Sequence, residues 1–327
     1  MPADPAALDV RSAAPGTWSY WGQFALMALI VLIGGLTPVA ARFALREMPP
    51  FSTGVVRFGL AGACLLVTML VMRRSDPRSR RPIDRADLPR FLACALLCVP
   101  INQATFLSGV KLAGAAHSGL LYALNPVLVF LITLIIGSVK ASTRMALAAT
   151  LAFAGAAVIG LDSLLAASGP SLVGDGLLFI AVLTWATYSV LVGPLGAKYG
   201  PLRSLTIIIV SGVVLYSPAL LIDGRELRFG SLSAAAWIGF LYISLLTSFL
   251  SYLLWLFVLM RLNVNRLAVA MNASPLVAVI GANQFCGEPI TRWLAVGAGL
   301  ILLAITLANW HAVQELFRAR ARRAPAA

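Results

Sequence analysis

The sequence predicts an all-α integral membrane protein, with ten transmembrane helices arranged as two inverted five-helix repeats. Three observations support this fold: an apolar composition, ten apolar stretches of membrane-spanning length, and a proline-interrupted stretch that occurs twice. Hydrophobic residues make up 60% of the 327 residues, charged residues make up 11%, and the mean hydropathy is +0.91. In a soluble domain about a quarter of the residues are charged, so a soluble fold is excluded.

Ten stretches contain enough apolar residues to cross a bilayer, which takes about 20. They are residues 20–45, 52–72, 88–110, 114–138, 143–162, 174–195, 202–222, 233–259, 265–286 and 291–312. The connections are short and leave no room for a soluble catalytic domain. The net charge of +13 lies in short basic blocks between these stretches. Such blocks fit an anionic lipid surface better than a nucleic acid.

The domain organisation follows from these stretches. We expect a disordered cytoplasmic tail at residues 1–17, a first repeat at 18–165, a second repeat at 172–313 and a basic cytoplasmic tail at 314–327. Most of the 25 lysine and arginine residues fall in the tails and in alternate loops on one side. The positive-inside rule then places both termini in the cytoplasm. The expected location is a bacterial inner (plasma) membrane, crossed many times.

The repeated stretch centres on two prolines 149 residues apart, Pro126 and Pro275, and this offset sets Asn125 on Ser274. Proline removes a backbone hydrogen bond, and in hydrocarbon the freed carbonyl needs a partner in protein or in a water-filled cavity. Paired interrupted helices in two halves indicate a transporter's central site. We therefore predict hinges at Pro126 and Pro275. The alternative is a kink that only shapes packing.

Aromatic and amide residues recur on helix faces in both halves. The sixth stretch carries Trp185 and Tyr188, and the eighth carries Tyr252 and Trp255, each pair on one helix face. The 149-residue offset sets Tyr252 on Gln103 and Trp255 on Phe106. The predicted substrate site therefore contains these side chains and the polar ones beside the prolines: Gln103, Phe106, Tyr122, Asn125, Trp185, Tyr188, Tyr252, Trp255, Asn272 and Ser274. The alternative is an interfacial aromatic belt or core packing.

Ionisable residues inside spans are functional candidates, and the sequence has few. His117, near the outer end of the fourth stretch, either binds substrate or a coupling proton, or reaches water. Arg57, early in the second stretch, either extends outward or pairs with a neighbour. We expect Glu288 to cap a helix and to pair near Arg292. No carboxylate lies near mid-membrane, which argues against a proton-coupled exporter of cationic drugs and favours a zwitterion or an uncharged metabolite.

Small residues on two helices predict close helix packing. The fifth stretch carries Ala148, Ala152, Ala156 and Gly160 at four-residue spacing, and the tenth carries Ala295 and Gly299. We interpret these faces as scaffold. They leave a monomer or a homodimer possible.

Catalytic and metal-binding patterns are missing from the sequence. It has no phosphate-binding glycine loop, no HExxH and no GxSxG, and only two histidines. The four cysteines lie in apolar stretches without metal spacing, so neither a metal nor a cofactor is expected. We therefore do not expect an enzyme.

The stretch Ser248–Leu307 resembles the second repeat of EamA-type permeases of the drug/metabolite transporter superfamily. The matching features are Tyr252, Trp255, Pro275, the Gly287-Glu288-Pro289 sequence and a glycine-rich tenth helix; in the first half, Pro126 and Arg57 match. The chain differs from the family pattern at Ser138-Val139 and at Gly34-Gly35. The resemblance covers residues 20 to 312. It implies ten helices, both termini inside, and a central cavity between the repeats.

The resemblance implies export of amino acids or related small metabolites by alternating access. Other members of the same fold move drugs, sugars or nucleotide sugars, and these stay as alternatives. A further alternative is a non-transporting membrane module that binds lipid or assembles partners. The expected partners are a small-molecule substrate and the lipid bilayer.

Overall fold

A computed structural model describes residues 20–72, 77–140, 142–165, 171–255 and 270–310, together with Gln314. Within these ranges every regular element is a helix, so the predicted all-α class is confirmed there. The predicted tails 1–17 and 314–327 lie outside the described residues, except for Gln314. So do the end of the predicted eighth span and the start of the ninth, within residues 256–269.

The described helices divide between the first and second halves of the chain. In the first half they are α1 (Tyr20–Ala44), α2 (Pro50–Met72), α3 (Leu88–Leu96), α4 (Asn102–Ala113), α5 (Ala115–Tyr122), α6 (Asn125–Ile135) and α7 (Thr143–Leu165). In the second half they are α8 (Leu172–Tyr199), α9 (Pro201–Tyr216), α10 (Leu220–Asp223), α11 (Ala234–Leu241), α12 (Ser274–Cys286) and α13 (Arg292–Ala308). A π-helical segment, π1 (Leu97–Ile101), joins α3 to α4, and π2 (Tyr242–Leu250) follows α11.

Eight continuous helices in the described ranges are long and apolar enough to cross a membrane. They are Phe24–Ala44, Pro50–Met72, Arg85–Ala113, Ala115–Ile135, Thr143–Leu165, Leu172–Tyr199, Pro201–Glu226 and Ala234–Trp255. The apolar helices α12 and α13 are shorter. The count of ten spans stays a prediction, because the predicted ninth span begins among residues that are not described.

Both prolines begin a new helical segment. Pro126 and Pro275 are each the second residue of a helix, α6 and α12. Proline is tolerated there because its missing N–H would have no partner in the helix anyway. At each break the backbone hydrogen bond spans three residues instead of the four of an α-helix. The N–H of Leu124 bonds to the carbonyl of Leu121 at 3.0 Å, and 149 residues later the N–H of Ala273 bonds to the carbonyl of Ala270 at 3.0 Å. The halves therefore share a break of the same kind at the same register.

The π segments also correspond under the 149-residue offset, which sets π1 on the last five residues of π2. Pro100 lies inside π1. In π2 the hydroxyl of Ser248 bonds to the carbonyl of Ile243, five residues earlier, at 2.9 Å. π-helical turns are rare and often occur at functional sites.

Helix α7 packs against α13 through glycines. A Cβ at Gly155 would lie 2.9 Å from the carbonyl oxygen of Gly297, and a Cβ at Gly297 would lie 3.0 Å from that of Gly155. Ala148 and Ala152 are buried in the same stripe. On α13, Ala295 and Gly299 are exposed in the single chain and do not form this contact. Four-residue spacing drifts around a helix of 3.6 residues per turn, so the true stripe uses Gly155 and Gly297.

Helix α12 lies between α1 and α5. A Cβ at Gly35 would lie 2.8 Å from the carbonyl oxygen of Ser274, and a Cβ at Gly119 would lie 2.1 Å from the Cβ of Ala278. The Gly34-Gly35 pair therefore lets α1 approach the proline-bearing helix closely. This contact connects the first half of the chain to the proline break of the second.

Candidate functional site

Arg57 is a buried cation on α2 that connects the two halves. Its side chain is only 4% exposed. Its Nε donates to the carbonyl of Ile243 at 3.0 Å and to Oγ of Ser248 at 2.9 Å, both in π2. One terminal nitrogen donates to Oε1 of Gln103 on α4 at 3.0 Å. The outward-extending alternative for Arg57 is therefore wrong, because the guanidinium points into the protein.

The local sequence explains how Arg57 reaches these groups. Gly54 lies about one turn earlier on α2, and a Cβ there would come within 3.3 Å of the Cβ of Gln103. Helices α2 and α4 therefore approach closely beside Arg57. In π2 the carbonyl of Ile243 accepts from both Ser248 and Arg57. The widened helix thus presents an acceptor toward the arginine.

Side-chain amides extend the Arg57 network across the bundle. Gln103 donates to Oδ1 of Asn102 at 2.8 Å. The Nδ2 of Asn102 donates to the carbonyl of Ala181 on α8 at 2.7 Å and to the hydroxyl of Tyr122 at 3.2 Å. Buried amides fix geometry when all their hydrogen-bonding groups are used. Asn102 therefore holds α4, α5 and α8 in register around the arginine.

Aromatic rings lie beside this network. The Trp185 ring centroid is 5.2 Å from that of Tyr188 and 6.1 Å from that of Tyr252. Phe106 makes an edge contact with Tyr122, with centroids 5.3 Å apart. These distances are typical of interacting aromatic pairs. The structure thus brings together Gln103, Phe106 and Tyr122 around Arg57, and Trp185, Tyr188 and Tyr252 in an adjacent cluster.

The remaining predicted site residues lie apart from these contacts. Trp255 is 38% exposed. Asn272 accepts a hydrogen bond from Asn309, at 2.9 Å. The Oγ of Ser274 faces α1 at Gly34. Among the described residues, no hydrogen bond or ring contact joins Trp255, Asn272 or Ser274 to the Arg57 network.

Asn125 is half-buried beside Pro126, and its Oδ1 is enclosed but has no hydrogen-bond partner among the described residues. Buried polar atoms are normally bonded, so an open acceptor needs an explanation. It is available to a donor from a bound molecule.

The electrostatics of the site are set by Arg57. In the described part of the chain no carboxylate lies within 4.0 Å of its guanidinium, and its hydrogen-bond acceptors are neutral. The guanidinium carbon also lies 5.9 Å from the Phe106 ring centroid and 5.2 Å from that of Phe58. Buried cations are normally paired with an anion. The site therefore carries a positive charge that an anionic group could neutralise.

A second buried polar cluster lies where α7 ends and α8 begins. His117 on α5 is 2% exposed. Its Nδ1 is 2.9 Å from Oδ1 of Asp175 on α8, and its Nε2 is 3.4 Å from Oδ2 of Asp162 on α7. The water-facing alternative for His117 is therefore wrong. The sequence gives no sign of this contact, because the two aspartates lie near helix ends, where solvation is the usual expectation.

Glu288 caps a helix of the first half. Its two carboxylate oxygens accept from the backbone N–H groups of Ala115 and Ala116 at 2.8 Å each, at the start of α5. Its ion-pair partner is Arg42, with Nε 3.9 Å away. The expected cap is therefore present, but pairing near Arg292 is wrong. Among the described residues, no group of three or more histidine, cysteine, aspartate or glutamate side chains is arranged to hold a metal ion.

Residues 21–161 and 172–310 each match the EamA-like transporter family. The chain belongs to this family. It is a multi-pass membrane transporter built from two repeats, as the sequence features predict.

Known relatives of this EamA-like transporter span nearly its whole length. It is 25% identical to an uncharacterized transporter of Archaeoglobus fulgidus, over 86% of this chain and 97% of that protein. It is also 25% identical to the uncharacterized transporter YyaM of Bacillus subtilis, over 86% of this chain and 92% of that protein. A probable terminal-alkyne amino-acid exporter of Streptantibioticus cattleyicolor is 25% identical over 80% of this chain and 88% of that protein. A crystal structure with 17% sequence identity superposes with a TM-score of 0.57, over 90% of this chain and 99% of that chain.

Proposed function

We propose that this EamA-like transporter exports amino acids, or small metabolites with the same charged groups, across the bacterial inner membrane by alternating access. The observation that carries the proposal is Arg57, a buried guanidinium without a carboxylate partner among the described residues. A substrate carboxylate would supply the missing negative charge. Arginine suits this role because its planar fork donates two parallel hydrogen bonds to a carboxylate.

Other groups of the predicted site suit the rest of an amino acid. The Oδ1 of Asn125 is an acceptor without a partner among the described residues, and an ammonium group donates three hydrogen bonds. The Trp185, Tyr188 and Tyr252 rings offer an apolar surface and faces that attract a cation. A zwitterion with an apolar or aromatic side chain fits this combination better than a sugar or a cationic drug. The similarity to a probable amino-acid exporter points in the same direction.

The paired helix breaks support alternating access. Pro126 and Pro275 begin α6 and α12 after tight turns at equivalent positions. A break of this kind lets one half of a span tilt while the other stays packed, and transporters with paired repeats move about such points. In our proposal the two halves rock about these breaks. Arg57, bonded to both α4 and π2, lies between the moving parts.

Transport of radiolabelled L-phenylalanine by purified protein in proteoliposomes tests the proposal, measured as counterflow against unlabelled amino acid. Charge-assisted hydrogen bonds contribute about 1.5–3 kcal/mol, so Arg57→Gln should weaken binding by about ten- to a hundredfold. Arg57→Lys keeps the charge but not the fork, and should retain only part of the activity. The matched control is Arg46→Gln, an exposed arginine beside Phe43, which should transport normally.

A thermal-shift comparison of L-phenylalanine with phenethylamine, which lacks the carboxylate, isolates the contact with Arg57. We expect L-phenylalanine alone to stabilise the parent protein, and neither compound to stabilise Arg57→Gln. Equal stabilisation by both compounds, or by a sugar in place of an amino acid, would contradict the assignment.

A further inference from the structure

The His117 cluster holds three ionisable groups in one buried space. His117, Asp162 and Asp175 are 2%, 6% and 7% exposed. Each carboxylate also accepts a hydroxyl hydrogen bond, Asp162 from Thr291 at 2.7 Å and Asp175 from Ser163. With both aspartates ionised and a neutral imidazole, the cluster would carry a charge of −2 away from water. Burial of unpaired charge is costly, and proton uptake relieves it.

The geometry of the cluster accommodates a further proton. A neutral imidazole has one N–H and one acceptor nitrogen. If Nδ1–H donates to Asp175 at 2.9 Å, then Nε2 and the Asp162 oxygen 3.4 Å from it are both acceptors. A proton on Nε2 or on Asp162 would give one of these two atoms a donor. The arrangement is therefore suited to bind one exchangeable proton between the ring and Asp162.

The cluster joins helices from both halves at one end of the bundle. His117 belongs to α5, Asp162 to α7, Asp175 to α8, and Thr291 caps the start of α13. The other charged groups at this end are Arg42 on α1, Lys111 on α4, Glu288 after α12 and Arg292 on α13. Arg42 is engaged with Glu288 and with the carbonyls of Val110 and Lys111. No cation other than the imidazole lies within 4.0 Å of either aspartate in the described ranges.

One aspartate lies beside a groove on the surface of the bundle. Asp175 borders a groove of about 620 Å³ between α5, α7 and α8, whose other walls include Leu121, Gly160 and Phe179. The remaining atoms of the cluster are covered by the helices that it joins. Separation of α5 from α7 and α8 would expose the carboxylates to solvent and permit exchange of the proton.

We propose that His117, Asp162 and Asp175 form a proton-binding site separate from the substrate site, and that transport is coupled to the proton held there. The coupling rests on the proposed transport function, whereas the proton-binding site does not. With the proton bound, attraction between the imidazolium and the carboxylates holds this end of the bundle closed. Loss of the proton to the solution on that side leaves like charges together and favours opening.

Histidine NMR tests the proton site without any substrate. The chain has two histidines, His117 and His311, so His311→Gln leaves a single imidazole to observe. Its ¹³Cε1 signal reports the response of His117 to pH. Asp162→Asn and Asp175→Asn should each change that response. A signal that does not respond to pH would overturn the site. A response that is the same in the parent and in both aspartate variants would also overturn it.

Proteoliposomes test the coupling. The ratio of pH-gradient-driven L-phenylalanine uptake to counterflow should fall about tenfold or more in His117→Gln and Asp175→Asn, within the usual range of coupling between sites. The matched control is Asp223→Asn, a buried aspartate that accepts from the N–H groups of Phe51 and Ser52 at 2.9 Å, which should keep the parent ratio. An unchanged ratio in the cluster variants would overturn the coupling. Failure of the parent to move any amino acid would contradict the proposed substrate, and the NMR result then decides the proton site alone.

Discussion

Charged side chains in this transporter repeatedly bind groups from the other half of the chain. Arg57 bonds to π2, Glu288 caps α5, and Asp223 caps α2. Glu47 accepts from the backbone and hydroxyl of Ser233, at the start of α11. Carboxylates at helix N-termini are favoured because they accept from free N–H groups and complement the helix dipole. These contacts fix the positions of helix ends that the hydrophobic surfaces alone would leave free to slide.

Glu47 gives a pH-dependent prediction. Hydrogen bonds from the hydroxyl and N–H of Ser233 lower the pKa of Glu47 below its ordinary value. A carboxyl group with a lowered folded-state pKa contributes stability above its unfolded pKa of about 4.3, and this contribution is lost as the pH falls through the folded pKa. Glu47→Gln should therefore lower the melting temperature at pH 7, and the difference from the parent should vanish in acid.

Melting curves of parent and variant from pH 3 to 7 measure this effect. Glu226→Gln is the control, because Glu226 is exposed and its side chain makes no hydrogen bond within the described residues. It should show no such trend. A Glu47→Gln difference that persists in acid would contradict the role given to Ser233.

Neighbouring residues on one helix face could be predicted from sequence, but contacts between distant helix ends could not. Helix periodicity predicts that Trp185 and Tyr188 share a helix face, and the ring of Trp185 contacts those of Tyr188 and Tyr252. Trp255 and Asn272 depend on the rotation of their helices, which periodicity does not fix. The pairing of His117 with Asp162 and Asp175 depends on how three helix ends converge, and no local pattern encodes it.

At the scale of elements, the contact of α7 with α13 gives a clear prediction. A Cβ at Gly155 would lie 2.7 Å from the side chain of Ile301 and 2.9 Å from the carbonyl of Gly297. Gly155→Ala should therefore destabilise the protein by about 1–3 kcal/mol, the usual range for overpacking. Gly299→Ala is the matched control on the partner helix, since nothing lies within 4 Å of a Cβ there.

Thermal unfolding in detergent compares these two variants. Gly155→Ala should melt below the parent, and Gly299→Ala should melt at or above it, because alanine favours a helix over glycine by about 1 kcal/mol. Equal melting of the two variants would show that the helices do not cross at Gly155.

At the scale of the whole molecule, the bundle exposes an apolar surface suited to contact with lipid. Ile135 is 85% exposed, Leu221 is 89% and Val71 is 78%. Patches of this kind do not occur widely on soluble monomers. The apolar lengths predicted this membrane placement from sequence. The number of spans and the orientation stay predictions, based on loop charge and on the 149-residue repeat.

Cysteine labelling tests the orientation. Ser231 and Arg80 are exposed, and each lies in a loop between long apolar helices. The positive-inside rule places the arginine-rich loop of Arg80 in the cytoplasm and the loop of Ser231 outside. A membrane-impermeant maleimide should label Ser231→Cys in intact cells and Arg80→Cys only after permeabilisation. The parent protein provides the background, and labelling of Arg80→Cys in intact cells would reverse the assigned topology.

The matched π segments affect which side chains the following helices present. A π turn holds one more residue than an α turn, so each segment rotates the helix face after it by about 100° relative to an uninterrupted α-helix. The rotation occurs at the same register in both halves, in π1 and at the end of π2. The residues after the two segments therefore stay related by the 149-residue offset, while in π2 the widened turn also presents the Ile243 carbonyl to Arg57.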